Sequence, residues 1–253
     1  MRSGPVPESS AVGTMSDRKQ RLREEIWQAL TVNKVARFPG AQGRIPNFIG
    51  AEAAARHLAM LPAWQQAQAL KCNPDAPQRA VRYAALQAGK VLYMAVPRLR
   101  ELTPFIALDP VLLGSTGLWR ASSIQGAFAV GKPVTLAEMC HIDLIIAGSV
   151  AVSPDGARLG KGGGYSDLEY ALCRQAGLVD EGTPIVTTVH PIQVVPDRAI
   201  EMTAHDISLS WFATPEGAVQ TSSRYPRPQG ILWGELGKKL EEIPVLQQLA
   251  AQR

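Results

Sequence analysis

The chain has 253 residues, of which 46% are hydrophobic, and a formal net charge of +4, which is enough apolar material for the core of one α/β domain. Its basic residues are scattered without a run of five, aromatics make up only 6%, and no GFxF pattern or aromatic ladder is present, so a nucleic-acid surface gains no support and an anionic small-molecule ligand suffices. Cys72, Cys140 and Cys173 are widely spaced with no CxxC pair, which argues against a disulfide framework or a zinc site. No segment approaches the ~20 apolar residues of a membrane helix or forms the core of a signal peptide. The expectation is a cytoplasmic protein, monomer or homodimer, that contacts neither membrane nor nucleic acid. Residues 1–14, rich in Ser, Pro and Gly, read as a disordered tail or as a start placed too far upstream. Ser16 is expected to cap a helix over 17–32 with Leu22, Ile26, Trp27 and Leu30 as its apolar stripe and a basic polar face. A Gly/Pro-rich loop over 39–46 leads to helices at 50–60 and 77–88 and to a buried strand at 90–97. Residues 103–131 are broken by Pro104, Pro110, Gly114, Gly117, Gly126 and Gly131 and read as an irregular, substrate-facing loop. Further strands are expected at 143–152, 184–190 and 208–213. Residues 221–230 are polar and proline-rich, and 231–249 offers two short amphipathic helical pieces interrupted by Pro244.

This alternation predicts an α/β fold with an open, mostly parallel sheet and helices on both faces, a Rossmann-like three-layer arrangement with ligands at the carboxyl ends of the strands. The expected organisation is a single α/β domain over 15–220 and a C-terminal helical extension, 221–253, packed on it as a lid or brace.

The run Arg158-Leu159-Gly160-Lys161-Gly162-Gly163-Gly164-Tyr165-Ser166-Asp167 follows the expected strand over 143–152 and reads as strand, glycine loop and helix. Consecutive glycines suit a sharp bend or a close approach to another group, and unpaired amides at the following helix N-terminus, helped by Arg158 and Lys161, suit a phosphate. The spacing is neither that of a P-loop nor GxGxxG. Asp167, in the first turn of the helix, either steadies the helix dipole or holds Mg2+, which favours oxygen ligands. Glu169 and Tyr170 follow; Tyr170 is read as core. His190 ends a strand where ligands bind in open sheets, and is either a phosphate contact or acid, or a histidine bonded to its own loop. His205 and Asp206 read as a turn-capping pair. His57 and His141 have no partner at ligand spacing. No GxSxG is present, so acyl-enzyme chemistry is not expected.

The same run resembles the RLGxGGGYYDR signature of the 5-formyltetrahydrofolate cyclo-ligase (methenyltetrahydrofolate synthetase) family. Arg158, Leu159, Gly160, Gly162, Gly163, Gly164, Tyr165 and Asp167 coincide, while Ser166 replaces the usual second Tyr and Leu168 a common Arg. The spellings GKGGGYSDLEYAL and KCNPDAPQRAVRYAALQAGKVLYMAVPRL are similar to the methenyltetrahydrofolate synthetase domain-containing branch, and the likeness runs over residues 18–215. The resemblance implies a cyclo-ligase type of fold and an ATP- and Mg2+-dependent reaction on a reduced folate, in which the formyl oxygen is phosphorylated and N10 closes the methenyl ring. It implies that Lys19 and Arg23, in a KxxLR pattern, reach the ATP phosphates together with Gly160, Gly162, Gly163, Gly164 and Tyr165. It further implies that Arg158, Lys161 and Asp167 serve catalysis, Asp167 through the metal, and that Asn73, Asp75, Tyr165 and His190 meet the substrate. The family's ExDT glutamate contacts the pterin; here Asn73-Pro74-Asp75 occupies that region, with Asp75 as a candidate replacement. Residues 148–152 replace the family's PGVAF. Two alternatives stand beside the cyclo-ligase reading: a nucleotide- or ligand-binding protein without turnover, and a kinase-like enzyme acting on another carbonyl or amide.

Overall fold

The structure, a computed structural model, describes residues 14–222 and 224–253; of the expected tail over 1–14, residues 1–13 lie outside them, while Thr14 belongs to the start of the first helix. Helix α1 (Met15–Val32) is followed by α2 (Ala51–Ala59), α3 (Pro62–Gln66), β1 (Ala69–Cys72), α4 (Arg79–Gln87), β2 (Val91–Ala95) and β3 (Phe105–Leu108). Then come α5 (Pro110–Ala121), α6 (Ile124–Val130), β4 (Lys132–Val134), β5 (Leu144–Ile146), β6 (Ala151–Val152), β7 (Arg158–Leu159) and α7 (Tyr165–Gln175). The chain ends with β8 (Ile185–Thr188), β9 (Trp211–Thr214), β10 (Gly217–Gln220), α8 (Lys239–Glu242) and α9 (Pro244–Ala250).

Eight strands form one sheet in the order β10-β9-β8-β5-β1-β2-β3-β4. The five strands from β9 to β2 run parallel, and β10, β3 and β4 add antiparallel edges. Strand alternation divides the core between the two faces. Leu70, Cys72, Leu92, Met94, Leu144 and Ile146 pack with Leu58, Trp64, Val81 and Leu86 of the helices on one face. Ala69, Tyr93, Ala95, Ile145 and Ile185 pack with Leu168, Tyr170 and Leu172 of α7 on the other, where Ile243, Val245 and Leu246 of the C-terminal extension join them. Pro244 therefore starts α9 rather than merely breaking a helix, since its missing N–H is not needed at a first turn.

Three expectations change. Thr14, not Ser16, caps α1: its hydroxyl accepts from Asp17 N at 3.2 Å, while the Asp17 carboxylate accepts from Thr14 N at 2.9 Å. The expected strand over 143–152 splits, because the chain leaves the main sheet after Ile146, and Ala151–Val152 pair instead with Leu159 and Arg158 in a two-stranded ribbon. Residues 103–131 are not an irregular loop; they hold β3, α5 and α6 and line no part of the cavity at the glycine loop. There Pro110 occupies the first turn of a helix capped by Asp109. Gly126 allows a close packing, since a Cβ on it would fall 1.8 Å from Arg120 O.

The ribbon is held from outside by α1, whose Ile26, Trp27 and Leu30 pack with Val150, Ala151, Ala157 and Leu159. That docking brings the basic face of α1 to the glycine loop.

Candidate functional site

Residues 160–164 cross from the end of β7 to the start of α7 along the surface. Gly164 is the helix N-cap, with φ 63° and ψ 15°, left-handed values that cost a side-chain-bearing residue roughly 1–2 kcal/mol. The first amides of α7 have no partners within the helix, and Gly164 has no side chain to cap them. Cavities lie on both sides of this loop. One, of about 440 Å3, is lined by Asn73, Asp75, Gly148, Lys161, Tyr165 and Glu169. Another, of about 300 Å3, is lined by Lys19, Arg23, Gly162, His205 and Asp206. Arg158, Gly160, Gly164 and Asp167 border both.

The sequence singled out cations here, and the structure shows what each is bonded to. Arg158 is 3% exposed. It donates through Nη2 to Asp167 Oδ1 at 2.6 Å and through Nη1 to Gly148 O at 2.8 Å. Asp167 Oδ1 also accepts from Ile207 N at 3.1 Å. The pair joins the ribbon, α7 and the segment before β9, and so fixes the loop between them. Lys161 Nζ crosses the larger cavity to Asp75 Oδ1 at 3.0 Å. Lys19 Nζ donates to Asp206 Oδ2 at 2.6 Å, giving the carboxylate expected to be architectural a cation as well. Burial would raise the Asp206 pKa, but the bonds from Lys19 and from the hydroxyl and amide of Thr203 hold it below the ordinary 3.8. Arg23 Nε donates to Gly160 O at 2.8 Å, and among the described residues no carboxylate lies within 4.0 Å of its guanidinium. Burial pushes the Arg23 pKa below its ordinary value, against the pull of Asp206, with repulsion from Arg158 adding to the fall.

His190 does not reach either cavity. Its Nδ1 accepts from Ile192 N at 3.2 Å, capping the turn begun by Pro191, and its ring stands edge-on to Phe48 with centroids 6.0 Å apart. The place at the end of β8 is as expected, but the turn directs the ring to its own loop, which corrects the assignment of His190 to the substrate.

Two features were missed by the sequence reading. Alternation along β1 sends Lys71 to the α7 side of the sheet, where the side chain, 1% exposed, forms an ion pair with Glu169. Glu169 Oε2 also accepts from Asn73 Nδ2 at 3.0 Å, while Asn73 Oδ1 accepts from Gly148 N at 3.1 Å and Ser166 Oγ at 3.0 Å. The Asn73 amide is thus turned inward and largely satisfied by the protein. Arg82, buried and without an acidic partner among the described residues, donates through Nη1 to Asn73 O at 2.7 Å and Asp75 O at 3.0 Å, and through Nε to Ser122 O at 2.8 Å, fixing the 73–75 loop by its carbonyls. A lysine inside a four-residue apolar stretch and an arginine on the apolar face of α4 were the available signals.

An open α/β sheet with a bare-backbone loop at a helix start, bordered by cations and two cavities, is an arrangement chemically able to accept a small anionic ligand. The sequence profile of the 5-formyltetrahydrofolate cyclo-ligase family matches residues 15–215, and the chain belongs to that family. The methenyltetrahydrofolate synthase domain-containing protein of Mus musculus is 41% identical over 240 residues, covering 91% of this chain and 63% of that protein. Its Homo sapiens counterpart is 37% identical over 253 residues, covering 96% and 63%. The chain thus spans somewhat under two thirds of these curated relatives. Among solved structures, the NMR structure of Aquifex aeolicus 5,10-methenyltetrahydrofolate synthetase aligns over 87% of this chain and 98% of that one, at 18% identity and a TM-score of 0.49. No described helix is long and apolar enough to cross a membrane.

Proposed function

We propose that the chain binds ATP at the glycine loop and activates the formyl oxygen of a reduced folate, 5-formyltetrahydrofolate in the first instance, for closure to the 5,10-methenyl ring. The observation that carries this reading is the position of the loop between two cavities that share Gly160, Gly164, Arg158 and Asp167. A phosphoryl group on the loop amides is then within reach of ligands on either side. ATP supplies the phosphoryl group and its magnesium ion neutralises charge as the group is transferred. The amides of residues 162–165 and the Arg23 guanidinium hold the phosphates, and Lys161, already across the larger cavity, meets the transferred group from the substrate side. The Arg158–Asp167 pair keeps the loop in one geometry, so that no reorganisation is needed during transfer.

The residues fit magnesium carried by the nucleotide better than a resident ion. Among the described residues no cluster of three His, Cys, Asp or Glu could hold a metal. Asp167, expected to be its ligand, commits Oδ1 to Arg158 and Ile207 N and has at most its other oxygen to give. Mg2+ commonly takes one or two carboxylates, with waters and phosphate oxygens completing its shell.

A second reading, nucleotide binding without turnover, is favoured by the inward-turned Asn73. At the family's pterin-contacting position this side chain offers one unbonded N–H and no carboxylate. The test is purified protein with 5-formyltetrahydrofolate, ATP and Mg2+: methenyl absorbance should grow. Heat of ATP binding without any absorbance gain would replace the first reading by the second.

A further inference from the structure

The C-terminal extension, beyond the residues matched by the family profile, returns to the glycine loop. Leu236 and Leu240 pack against the core that already holds Ile243, Val245 and Leu246, so the backbone at Lys239 is anchored on both sides. The Lys239 ammonium lies 5.3 Å from the centroid of the Tyr165 ring. It sits so close to the loop that a Cβ on Gly164 would be 2.7 Å from Nζ. A cavity of about 160 Å3 opens between extension and loop, lined by Gly164, Asp167, His205, Glu235 and Lys239 among others. At ~30 Å3 per water, that is room for a phosphoryl group.

The charge is what requires explanation. Both acids bordering this cavity are engaged elsewhere: Asp167 with Arg158, and Glu235 with His205 Nδ1 at 2.7 Å. Among the described residues no carboxylate lies within 4.0 Å of Lys239 Nζ. Its face-on contact with Tyr165 is a weak interaction near the surface. Burial pushes the Lys239 pKa below 10.5, with Asp167 pulling the other way. Of the cations around the loop, Lys19, Arg158 and Lys161 are matched by Asp206, Asp167 and Asp75. Among the described residues Arg23, beside Gly162, and Lys239, beside Gly164, are left without a carboxylate within 4.0 Å, as is Arg98 at the larger cavity.

We infer that Lys239 is a further phosphate-binding residue, supplied by the C-terminal extension, which together with Arg23 holds the polyphosphate of a nucleoside triphosphate on the glycine loop. The inference rests on the nucleotide reading above and adds a residue that the family match does not include. A chain with the extension intact then adds the Lys239 ammonium, beside Gly164, to the Arg23 guanidinium, beside Gly162, and to the loop amides.

The experiment is calorimetric titration of the full chain with ATP and with inorganic triphosphate, for the unaltered protein and for Lys239→Met and Lys239→Arg. Lys239→Met keeps the apolar stem and should leave the unliganded melting temperature unchanged. It should weaken both ligands about ten- to hundredfold, the usual worth of a charge-assisted hydrogen bond. Lys239→Arg should restore most of the loss, which a purely structural role for the stem does not predict. The dependence of log Kd on log salt should be shallower for Lys239→Met. ATP binding by the unaltered chain with equal affinity in Lys239→Met overturns this inference and leaves the nucleotide reading intact. Absence of ATP binding in the unaltered chain overturns both.

Discussion

Replacing Asp167 by Asn should destabilise the protein in the absence of any nucleotide or metal. The substitution leaves the Arg158 guanidinium, 3% exposed, without a counter-charge, with at best a neutral amide oxygen in place of the carboxylate and with Nε already lacking an acceptor. Breaking one side of a buried ion pair costs about 3–5 kcal/mol. Weakening the bond to Ile207 N adds a cost of about 1–3 kcal/mol when such a bond is lost outright. Both contacts use Oδ1, so the two costs overlap, and a total of about 3–5 kcal/mol is expected. For a chain of this size that is a fall of about 6–20 °C in Tm, at roughly 2–4 °C per kcal/mol. Urea unfolding followed by tryptophan fluorescence, with ligand-free protein, measures it. Arg158→Met should cost a similar amount, and Arg158→Met combined with Asp167→Leu should cost well under the sum of the two single changes, with a coupling of about 2 kcal/mol or more. A loss below about 1 kcal/mol in Asp167→Asn would refute the reasoning, because the carboxylate would then be held in place for a ligand rather than for Arg158.

Restoring the family's glutamate by Asn73→Glu should place a second carboxylate beside Glu169 with Lys71 as the adjacent buried cation. One acid of the pair must then keep its proton, so the folded pKa rises and stability falls as pH increases from about 4.3 toward neutrality; urea midpoints at pH 5 and pH 8 should differ more than in the parent, and Glu169→Gln should abolish the excess. Asp206 has a folded pKa below 3.8, so its contribution is complete above that value and is lost as pH falls through the lowered one. Asp206→Asn should accordingly flatten the acid limb of the stability curve below pH 4, and an unchanged limb would contradict the Lys19–Asp206 assignment. Burial pushes the thiols of Cys72 and Cys173 up to about 11 and about 12, while Cys140 is exposed. Titration with a disulfide reagent should thus count one reactive thiol in the native protein and three in denaturant.

The helices α1, α2 and α4 and the strand β2 were legible because each keeps its apolar period. The glycine loop was legible because three bare residues between a strand and a helix have few other uses. Strand β1 was not, although it sits in the middle of the sheet: Lys71 interrupts its apolar run, and only the partner Glu169, far along the chain, makes that lysine compatible with burial. Residues 103–131 misled for a related reason. Gly126 reads as a breaker in one dimension, yet it serves a close helix contact in three. At the site, residue types and loop were foreseen, whereas their pairing was not. Which carboxylate meets Lys19, Arg158 or Lys161 depends on how α1, the ribbon and α7 converge, and no local pattern encodes that. The histidine at the end of β8 shows the converse, since its position followed from the open-sheet rule and its direction was decided by Pro191.

The anchoring of Lys239 against Gly164 also orders events in time. During synthesis the loop emerges before the segment that carries Lys239, and α9 packs on a core that includes Ile185 of β8 and Phe212 of β9. Until α8 is seated the glycine loop lacks the Lys239 ammonium beside Gly164, so the contribution inferred above for Lys239 would be gained only once that segment has docked.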